Sequence, residues 1–378
     1  MGQSPWYDNI RRSFIASGDL QALIDAGIRG VTANPTIFEK AILAGADYDD
    51  AIRDLAAAGA NSSDIYERLL IADIGAAADV LRPLYDQTHG QDGYVSIEVS
   101  PQLAHDTAGS IAEARRFWAA INRPNMMVKV PATAAGIPAI RQLIGEGVNI
   151  NITLIFGIHD YERVMDAYLD GLETLAARGK PLDMVASVAS FFVSRVDTAV
   201  DTRLDALIDA ARGEAARAEL AALRGKAAIA NARIAYRHFQ QKVAGERFAA
   251  LSRQGARVQR PLWASTGVKD PAYRDVRYVE ELIGPDTVTT LPAATIEAFQ
   301  DHGRVARTID QHLDDAYETV ERLEAAGISM REVTDALLVD GVRIFTDSFA
   351  HLDAAIREKR EVLRDESTGR QSAGATRI

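Results

Sequence analysis

The chain alternates short apolar runs with longer stretches in which apolar residues recur every three or four positions. The short runs are almost continuously apolar, which is typical of parallel strands that are covered on both faces. They predict eight strands, at residues 6–10, 31–33, 94–99, 126–131, 149–156, 184–192, 261–266 and 287–291. The longer stretches predict amphipathic helices, among them 17–26, 62–85, 110–121, 136–145 and 160–178.

Eight strand-then-helix units in succession predict an α/β fold, a (β/α)8 TIM barrel with extra helices. An open, doubly wound sheet is the alternative, but its glycine-rich phosphate fingerprints, GxGxxG and GxxxxGK[ST], do not occur. We expect a single barrel domain at residues 1–364, with a helical insertion around 201–257. Residues 365–378 are polar without periodicity and predict a flexible C-terminal tail.

Helix-start and helix-stop residues agree with these elements. Ser17 is placed to cap a helix that stops at Gly27, and Asn34-Pro35 ends the second strand and begins the next helix.

Composition narrows the classes of protein. The 378 residues include no cysteine, and 42 Lys+Arg against 53 Asp+Glu give a net charge of −11. The lack of cysteine excludes disulfides, thiolate zinc sites and cysteine nucleophiles. The negative charge disfavours nucleic acid and anionic membranes as partners, so a small anionic substrate needs local cations. Because there is no signal peptide and no apolar run of about 18 residues, we expect a cytoplasmic protein.

Lys129 lies inside the apolar run Met126–Pro131 and is one of seven lysines. Burial disfavours the ammonium form, so a buried lysine can act as a nucleophilic amine that attacks a ketone and forms a Schiff base. A structural ion pair with a buried carboxylate such as Glu98 is the alternative. Glu98, in the preceding strand, fits either that ion pair or proton transfer.

Neutral hydrogen-bonding residues share strand faces nearby. Ser96 lies two positions before Glu98 and therefore on the same face. Asn149, Asn151 and Thr153 alternate along the next apolar strand but one in the same way. A row of amide and hydroxyl groups suits a polyol, which needs both donors and acceptors. Packing inside the barrel is the alternative for this row.

Other polar residues follow strand ends, where active sites of barrels lie. They are Asp8 and Asn34 after strands one and two, Ser190 and Arg195 after strand six, and Ser265 and Lys269 after strand seven. Asn34 alone fits a helix cap, Asp8 a surface position, and each cation a solvated loop. Hydroxyl groups beside a cation are also what a phosphate needs. Together with the lysine strand, they describe a class I (Schiff-base) aldolase-type site.

Five segments resemble the transaldolase family, in its longer bacterial form, in their order and spacing. They are GVTANPTIFEK (30–40), SIEV (96–99), MVKVPAT (127–133), NINITL (149–154) and LWAST (262–266). The resemblance implies an α/β barrel and a transferase in the pentose phosphate pathway. The implied reaction moves a dihydroxyacetone unit from sedoheptulose 7-phosphate to glyceraldehyde 3-phosphate and gives erythrose 4-phosphate and fructose 6-phosphate.

The resemblance also implies roles for the candidate residues. Lys129 forms the imine with the donor ketone, Glu98 exchanges protons through a water molecule, and Thr153 helps to hold that water. Asp8 takes the proton of the C4 hydroxyl as the C3–C4 bond breaks. The residues that contact substrate or phosphate are Asn34, Ser96, Asn151, Ser190, Arg195, Ser265 and Lys269. Shorter members of the family carry an aromatic residue and an arginine after the serine of strand seven, and here Lys269 supplies that cation from a shifted position.

The resemblance implies no metal and no other cofactor, since the iminium replaces a divalent cation, and none of the seven histidines forms an HxH or HxxxH pair. Sugar phosphates are the expected partners, and the sequence leaves open a monomer or a homodimer. Two alternatives remain for the function. One is an aldolase that releases dihydroxyacetone, such as the much shorter fructose 6-phosphate aldolase. The other is an inactive barrel that serves as a scaffold or a sugar-phosphate sensor.

Overall fold

Eight parallel strands close into one barrel in a computed structural model of the chain, which describes residues 1–43 and 45–374. The strands are β1 (Gln3–Tyr7), β2 (Gly30–Thr32), β3 (Tyr94–Glu98), β4 (Met126–Pro131), β5 (Ile150–Ile155), β6 (Ser187–Phe192), β7 (Arg260–Ala264) and β8 (Thr287–Leu291). They pair in chain order, and β1 pairs with β8 to close the sheet. The predicted (β/α)8 barrel is confirmed, and the open sheet is excluded.

Helices surround the barrel in the described ranges. They are α1 (Arg12–Ala16), α2 (Asp19–Asp25), α3 (Pro35–Leu43), α4 (Asp49–Ala57), α5 (Ser62–Gln87), α6 (Thr107–Ile121), α7 (Gly136–Ile144), α8 (Ile158–Ala177), α9 (Ser194–Ala210), α10 (Glu214–Ala221), α11 (Ala227–Ala244), α12 (Glu246–Ser252), α13 (Arg277–Glu280), α14 (Ala293–His302), α15 (Leu313–Ala325) and α16 (Met330–Gly374), with a 3-10 helix at Pro101–Leu103. None of these helices, within the residues described, combines the length and the apolar character that crossing a membrane requires.

The strands are buried on both faces, as their continuous apolar runs predict. Every residue of β3, β4, β5, β6 and β8 is buried. Successive side chains point alternately into the barrel and toward the helices, so both positions face apolar surroundings. A polar residue in such a strand needs either a hydrogen-bond partner or a functional reason.

Strand β1 lies three residues earlier than its apolar run predicts. Its polar first residue, Gln3, pairs with Thr287 of β8, and its amide nitrogen donates to the Leu282 carbonyl (2.8 Å) and the Thr287 hydroxyl (3.0 Å). The apolar pattern misses this start because cross-strand partners satisfy the amide. The strand ends at Tyr7, so Asp8 lies just beyond its carboxyl end, at the mouth of the barrel.

The prediction that Ser17 caps the second helix is wrong. The N-cap of α2 is Gly18, which has a φ of 88°, and Ser17 ends α1 instead. A left-handed residue between two short helices favours glycine, which has no Cβ to clash. Asn34-Pro35 does mark the start of α3, as predicted.

The chain makes four helices, α9 to α12, between β6 and β7, where one crossover helix would suffice. Of these, α11 packs against α8, α9 and α15. The segment predicted as a helical insertion, 201–257, corresponds to the second half of α9 together with α10, α11 and α12.

The longest helix, α16, follows the last barrel unit and packs against α3, α4, α5, α9 and β5. It therefore lies across the carboxyl-terminal end of the barrel. It continues to Gly374, whereas the polarity of residues 365–378 predicts a tail from 365 onward. The helix thus begins in turns that pack against α3, α4 and α5 and continues into the polar segment. Residues 375–378 lie outside the described ranges.

Candidate active site

A cavity of about 190 Å³ opens at the carboxyl-terminal end of the barrel. Seven of the eleven predicted site residues line it: Asp8, Asn34, Lys129, Ser190, Arg195, Ser265 and Lys269. The other four are buried in the barrel wall and do not line the cavity: Ser96, Glu98, Asn151 and Thr153. The fold thus brings residues from strands far apart in sequence to one end of the barrel, the end at which barrel enzymes bind their substrates.

Lys129 and Glu98 form a buried pair. They are register partners on β4 and β3, and Lys129 Nζ lies 3.2 Å from Glu98 Oε2, with side chains 7% and 5% exposed. Burial raises the pKa of Glu98, an effect that the Lys129 charge opposes and the Asp8 carboxylate reinforces. Within the described ranges Glu98 Oε2 has no hydrogen-bond partner, so the pair is an ion contact. Glu98 is consequently a stronger base than a solvated glutamate.

Thr153 lies in an irregular part of β5. Three residues of β5 advance against two of β6 between Ile152 and Ile155, and Leu154 has a φ of 57°. Such a bulge re-aims the neighbouring side chains. The hydroxyl of Thr153 is buried and has no hydrogen-bond partner among the described residues. Since buried oxygens normally have a partner, this hydroxyl and Glu98 Oε2, on the two strands that flank Lys129, are available to bind a water molecule.

A hydrogen-bonded chain crosses the barrel interior behind Lys129. The amide nitrogen of Asn151 donates to the Ser96 hydroxyl (3.0 Å), and the Ser190 hydroxyl donates to the Asn151 amide oxygen (2.7 Å). Asn151 is also the register partner of Lys129. These two hydrogen bonds fix the orientation of the Asn151 amide. Of the three side chains, only that of Ser190 lines the cavity.

The predicted row of polyol-binding groups on β5 is shorter than its sequence pattern. Asn149 lies just before the strand, and its amide nitrogen donates to the carbonyls of Pro124 and Met126. Its amide oxygen accepts from the Ala186 N–H. All of these bonds hold the start of β5 to neighbouring segments, so Asn149 is structural.

Asp8 and Asn34 reach the cavity from β1 and β2. The Thr32 hydroxyl donates to Asp8 Oδ1 (2.7 Å), which fixes that carboxylate. The amide oxygen of Asn34 accepts from the Ile37 N–H (3.0 Å) and caps α3. The amide nitrogen of Asn34 has no partner in the part of the chain that is described. Asn34 is thus a helix cap that also presents a free donor to the cavity.

Arg195 follows β6 and begins the first turn of α9. Its guanidinium lies 5.6 Å from the centre of the Phe192 ring and forms no ion pair or hydrogen bond with any described residue. Burial lowers the pKa of Arg195 from its ordinary value, and the nearby Asp340 carboxylate opposes the effect. A partly buried guanidinium without an acceptor is well placed for bidentate binding of an anion.

The electrostatics of the cavity differ from those of the whole chain. Lys129, Arg195 and Lys269 line it, and the single carboxylate among its lining residues is Asp8. Ser265 follows β7 with a φ of 57°, and its hydroxyl lies 3.0 Å from that of Ser194. Strained backbone in a non-glycine residue is typical of functional sites. The site therefore offers cations and hydroxyls to an anionic ligand.

Comparison with known proteins agrees with this geometry. The family model named transaldolase/fructose-6-phosphate aldolase matches residues 5–356. The chain belongs to this family. It is 46% identical to transaldolase 2 of Nostoc sp. over 368 residues, 96% of each chain. It is 48% identical to the transaldolase of Acidothermus cellulolyticus over 367 residues, 97% of this chain and 96% of the relative. It is also 48% identical to the transaldolase of Saccharopolyspora erythraea over 360 residues, 95% of each chain.

Membership of the transaldolase/fructose-6-phosphate aldolase family confirms the resemblance that the sequence motifs predict. It also confirms the prediction of enzyme class, a transferase of the transaldolase type, at the level that the names of these relatives support. The individual site residues stay predictions.

Eight of the fifteen residues that line the cavity are not among the predicted site residues: Thr32, Phe192, Leu262, Ala264, Gly267, Thr290, Pro292 and Phe345. Thr32 and Thr290 stand near the ends of β2 and β8, a position that could have marked them as candidates. Phe192 ends β6 and resembles an ordinary core residue. Phe345 lies on α16, outside the barrel units, and its sequence position carries no sign of the site.

Proposed function

We propose that the protein catalyses the transaldolase reaction through a Schiff base on Lys129, with sedoheptulose 7-phosphate as donor and glyceraldehyde 3-phosphate as acceptor. The observation that carries this proposal is the buried contact between Lys129 and Glu98 at a cavity lined by two further cations. The full-length similarity to proteins named transaldolase supports it.

Imine formation needs an uncharged amine. The Glu98 carboxylate, 3.2 Å away and a stronger base because of its raised pKa, takes the proton of Lys129. The amine adds to the C2 carbonyl of the ketose, and the oxygen leaves as water after protonation by Glu98 through a bridging water. The free hydroxyl of Thr153 suits that water.

Carbon–carbon cleavage follows from the imine. The Asp8 carboxylate, fixed by Thr32, removes the proton of the C4 hydroxyl as the C3–C4 bond breaks. The bonding electrons pass into the iminium, which becomes an enamine, and erythrose 4-phosphate leaves. The enamine carbon then attacks the aldehyde of glyceraldehyde 3-phosphate, Asp8 returns its proton to the new alkoxide, and hydrolysis of the imine releases fructose 6-phosphate.

The remaining residues bind the substrate. Arg195 and Lys269 hold the phosphate, with Ser265 as a hydroxyl partner. The free amide donor of Asn34 and the hydroxyl of Ser190 contact the dihydroxyacetone hydroxyls. Asn151 and Ser96 orient that part of the site from behind through their hydrogen-bonded chain. A place in the non-oxidative pentose phosphate pathway follows from these substrates, and a cytoplasmic location stays a prediction.

The test is a transfer assay that follows erythrose 4-phosphate and fructose 6-phosphate together. Lys129→Arg keeps the charge beside Glu98 but cannot form the imine, so we expect turnover to fall by more than about a thousandfold. Lys129→Met removes the charge as well and should be equally inactive. Full activity in Lys129→Arg would exclude the imine. Rapid cleavage of fructose 6-phosphate by the wild type without any acceptor would favour an aldolase over a transferase.

A further inference from the structure

Transfer requires that the enamine intermediate is protected from water, and none of the catalytic residues named so far provides this protection. After cleavage, the three-carbon enamine on Lys129 carries a nucleophilic carbon, C3. If that carbon takes a proton from water, hydroxide is formed and neutralised by the proton that Asp8 removed. Hydrolysis of the resulting imine then releases dihydroxyacetone and ends the cycle as simple cleavage. A transferase therefore needs a cover over Lys129 that excludes water.

Two aromatic side chains line the cavity, and they come from different parts of the fold. Phe192 belongs to β6, while Phe345 belongs to α16 and is 5% exposed. All other lining residues in the described ranges come from the strands or the segments that directly follow them. Phe345 is thus the one side chain that reaches the cavity from the helix lying across the barrel mouth.

The backbone of α16 approaches β5, the strand that pairs with the strand of Lys129, one turn before Phe345. A Cβ added to Gly341 would lie 2.8 Å from Leu154 Cδ2, so a larger residue there would displace the helix or the leucine. Leu154 is the left-handed residue of the β5 bulge and directly follows Thr153. The absence of a side chain at Gly341 therefore allows α16 to pack closely against the Leu154 side chain of β5.

Polar anchors hold α16 on the other side of the mouth. The Thr36 hydroxyl of α3 donates to the Ser348 hydroxyl (2.7 Å). Farther along, Lys359 Nζ donates to the Ile42 carbonyl (3.1 Å) and to Asp49 Oδ1 (2.6 Å). Phe345 lies between the contact with β5 and the contacts with α3 and α4. The helix is therefore anchored both before and after this residue.

We propose that Phe345 determines the outcome of the reaction: its ring excludes water from the Lys129-bound three-carbon unit and favours transfer over cleavage. The inference rests on the proposed function. It assigns to α16 a contribution to the site that does not come from the barrel strands.

The experiment compares Phe345→Ala with Phe349→Ala in the full-length enzyme. Phe349 lies one turn farther along α16 and packs edge-on against Tyr66, with ring centres 5.3 Å apart, and it does not line the cavity. The same deletion is thus made on the same helix, inside and outside the site. With fructose 6-phosphate as donor, the readout is the rate of dihydroxyacetone release without acceptor divided by the rate of transfer to erythrose 4-phosphate.

We expect the ratio of cleavage to transfer to rise roughly tenfold in Phe345→Ala and to stay at the wild-type value in Phe349→Ala. Phe345→Leu keeps an apolar side chain and removes less volume, so the ratio of cleavage to transfer should rise by about threefold. This variant replaces the alanine variant if the latter does not fold.

An unchanged ratio in the Phe345 variants would overturn the inference, provided that borohydride still traps Lys129. An equal rise in Phe349→Ala would also overturn it, because loosening of the whole helix would then be the cause. Absence of a Lys129 adduct in the wild type would instead overturn the proposed function, so the two failures are distinguishable.

Discussion

The two ends of the barrel differ in how the arginines that line their cavities are paired. The amino-terminal end holds the larger cavity, about 710 Å³ against about 190 Å³ at the carboxyl-terminal end. At the amino-terminal end Arg260 donates to the Ser4 hydroxyl (2.9 Å) and the Gln91 carbonyl (2.6 Å) and pairs with Asp92 at 3.2 Å. Arg257 likewise donates to the carbonyls of His89 and Gly90.

The carboxyl-terminal end leaves comparable groups without partners. Glu98 Oε2 and the Thr153 hydroxyl are buried without a hydrogen bond, and Arg195 has no acceptor, within the ranges that the structure describes. Unsatisfied buried groups reduce stability, so a fold retains them where they serve another purpose. Unsatisfied buried oxygens also occur at the amino-terminal end, at Asn125 Oδ1 and Gln259 Oε1. The comparison therefore teaches that the pairing of the arginines, and not cavity size, distinguishes the candidate active site from a structural cavity.

Replacing Glu98, which contacts Lys129 inside the barrel, should change the chemistry of the site. In Glu98→Gln the proton acceptor for Lys129 is lost while the size of the side chain is kept, so we expect kcat to fall by roughly 10²–10⁴-fold with little change in KM. Steady-state kinetics at saturating donor and acceptor measure this. A change confined to KM would show that Glu98 binds substrate and does not move protons.

Arg195 tests the anion-binding part of the mouth. Loss of one charge-assisted contact in Arg195→Ala should reduce kcat/KM by about 10- to 150-fold, equivalent to about 1.5–3 kcal/mol. Arg195→Lys, which keeps a charge but not the planar fork, should recover part of the loss.

The loss in Arg195→Ala should be confined to phosphorylated substrates. The assay therefore compares fructose 6-phosphate with fructose as donor in both variants. An equal loss on the two donors would contradict a phosphate-binding role for Arg195.

Arg260 is the matching change at the opposite end. Arg260→Ala leaves the partly buried Asp92 carboxylate without its cation, so the free energy of unfolding should fall by about 1–3 kcal/mol. Values of kcat and KM should be unchanged for the folded variant. Urea unfolding and kinetics on the same preparation check both points. An Arg260→Ala variant that is stable but inactive would contradict the assignment of a structural role to the amino-terminal end.

Asp197 on α9 sharpens the comparison, because it is buried like Glu98 but both of its oxygens have donors. It accepts from the Ala228 N–H (2.8 Å) and the Tyr278 hydroxyl (2.8 Å), and burial raises its pKa from 3.8 to about 6. The folded state thus binds the proton more tightly than the unfolded state does. This carboxyl group therefore lowers the free energy of unfolding as pH rises from about 4 to about 6.

The test of Asp197 is urea unfolding of the wild type and Asp197→Asn across pH. Because the variant cannot ionise there, its free energy of unfolding relative to the wild type should rise by about 2–3 kcal/mol between pH 4 and pH 7. Activity should not follow this change. A difference that is constant with pH would show that Asp197 titrates alike in both states.

The sequence predicts the barrel well because a strand covered on both faces needs a continuous apolar run, and Lys129 is conspicuous as a charge inside such a run. The sequence does not predict how polar groups are paired. Asn149 and Asn151 alternate in the same pattern, yet Asn149 is bonded to backbone carbonyls and Asn151 to the side chains of Ser96 and Ser190. Phe345 is missed because its place in the cavity depends on where α16 crosses the barrel, a long-range contact that periodicity does not encode.

The most direct test of the account is chemical capture of the covalent intermediate. Wild-type enzyme incubated with fructose 6-phosphate and sodium borohydride, then digested and mapped by mass spectrometry, should carry a single reduced three-carbon group on the peptide that contains Lys129. An adduct on a different lysine, or transfer that proceeds while Lys129 remains unmodified, would contradict the account.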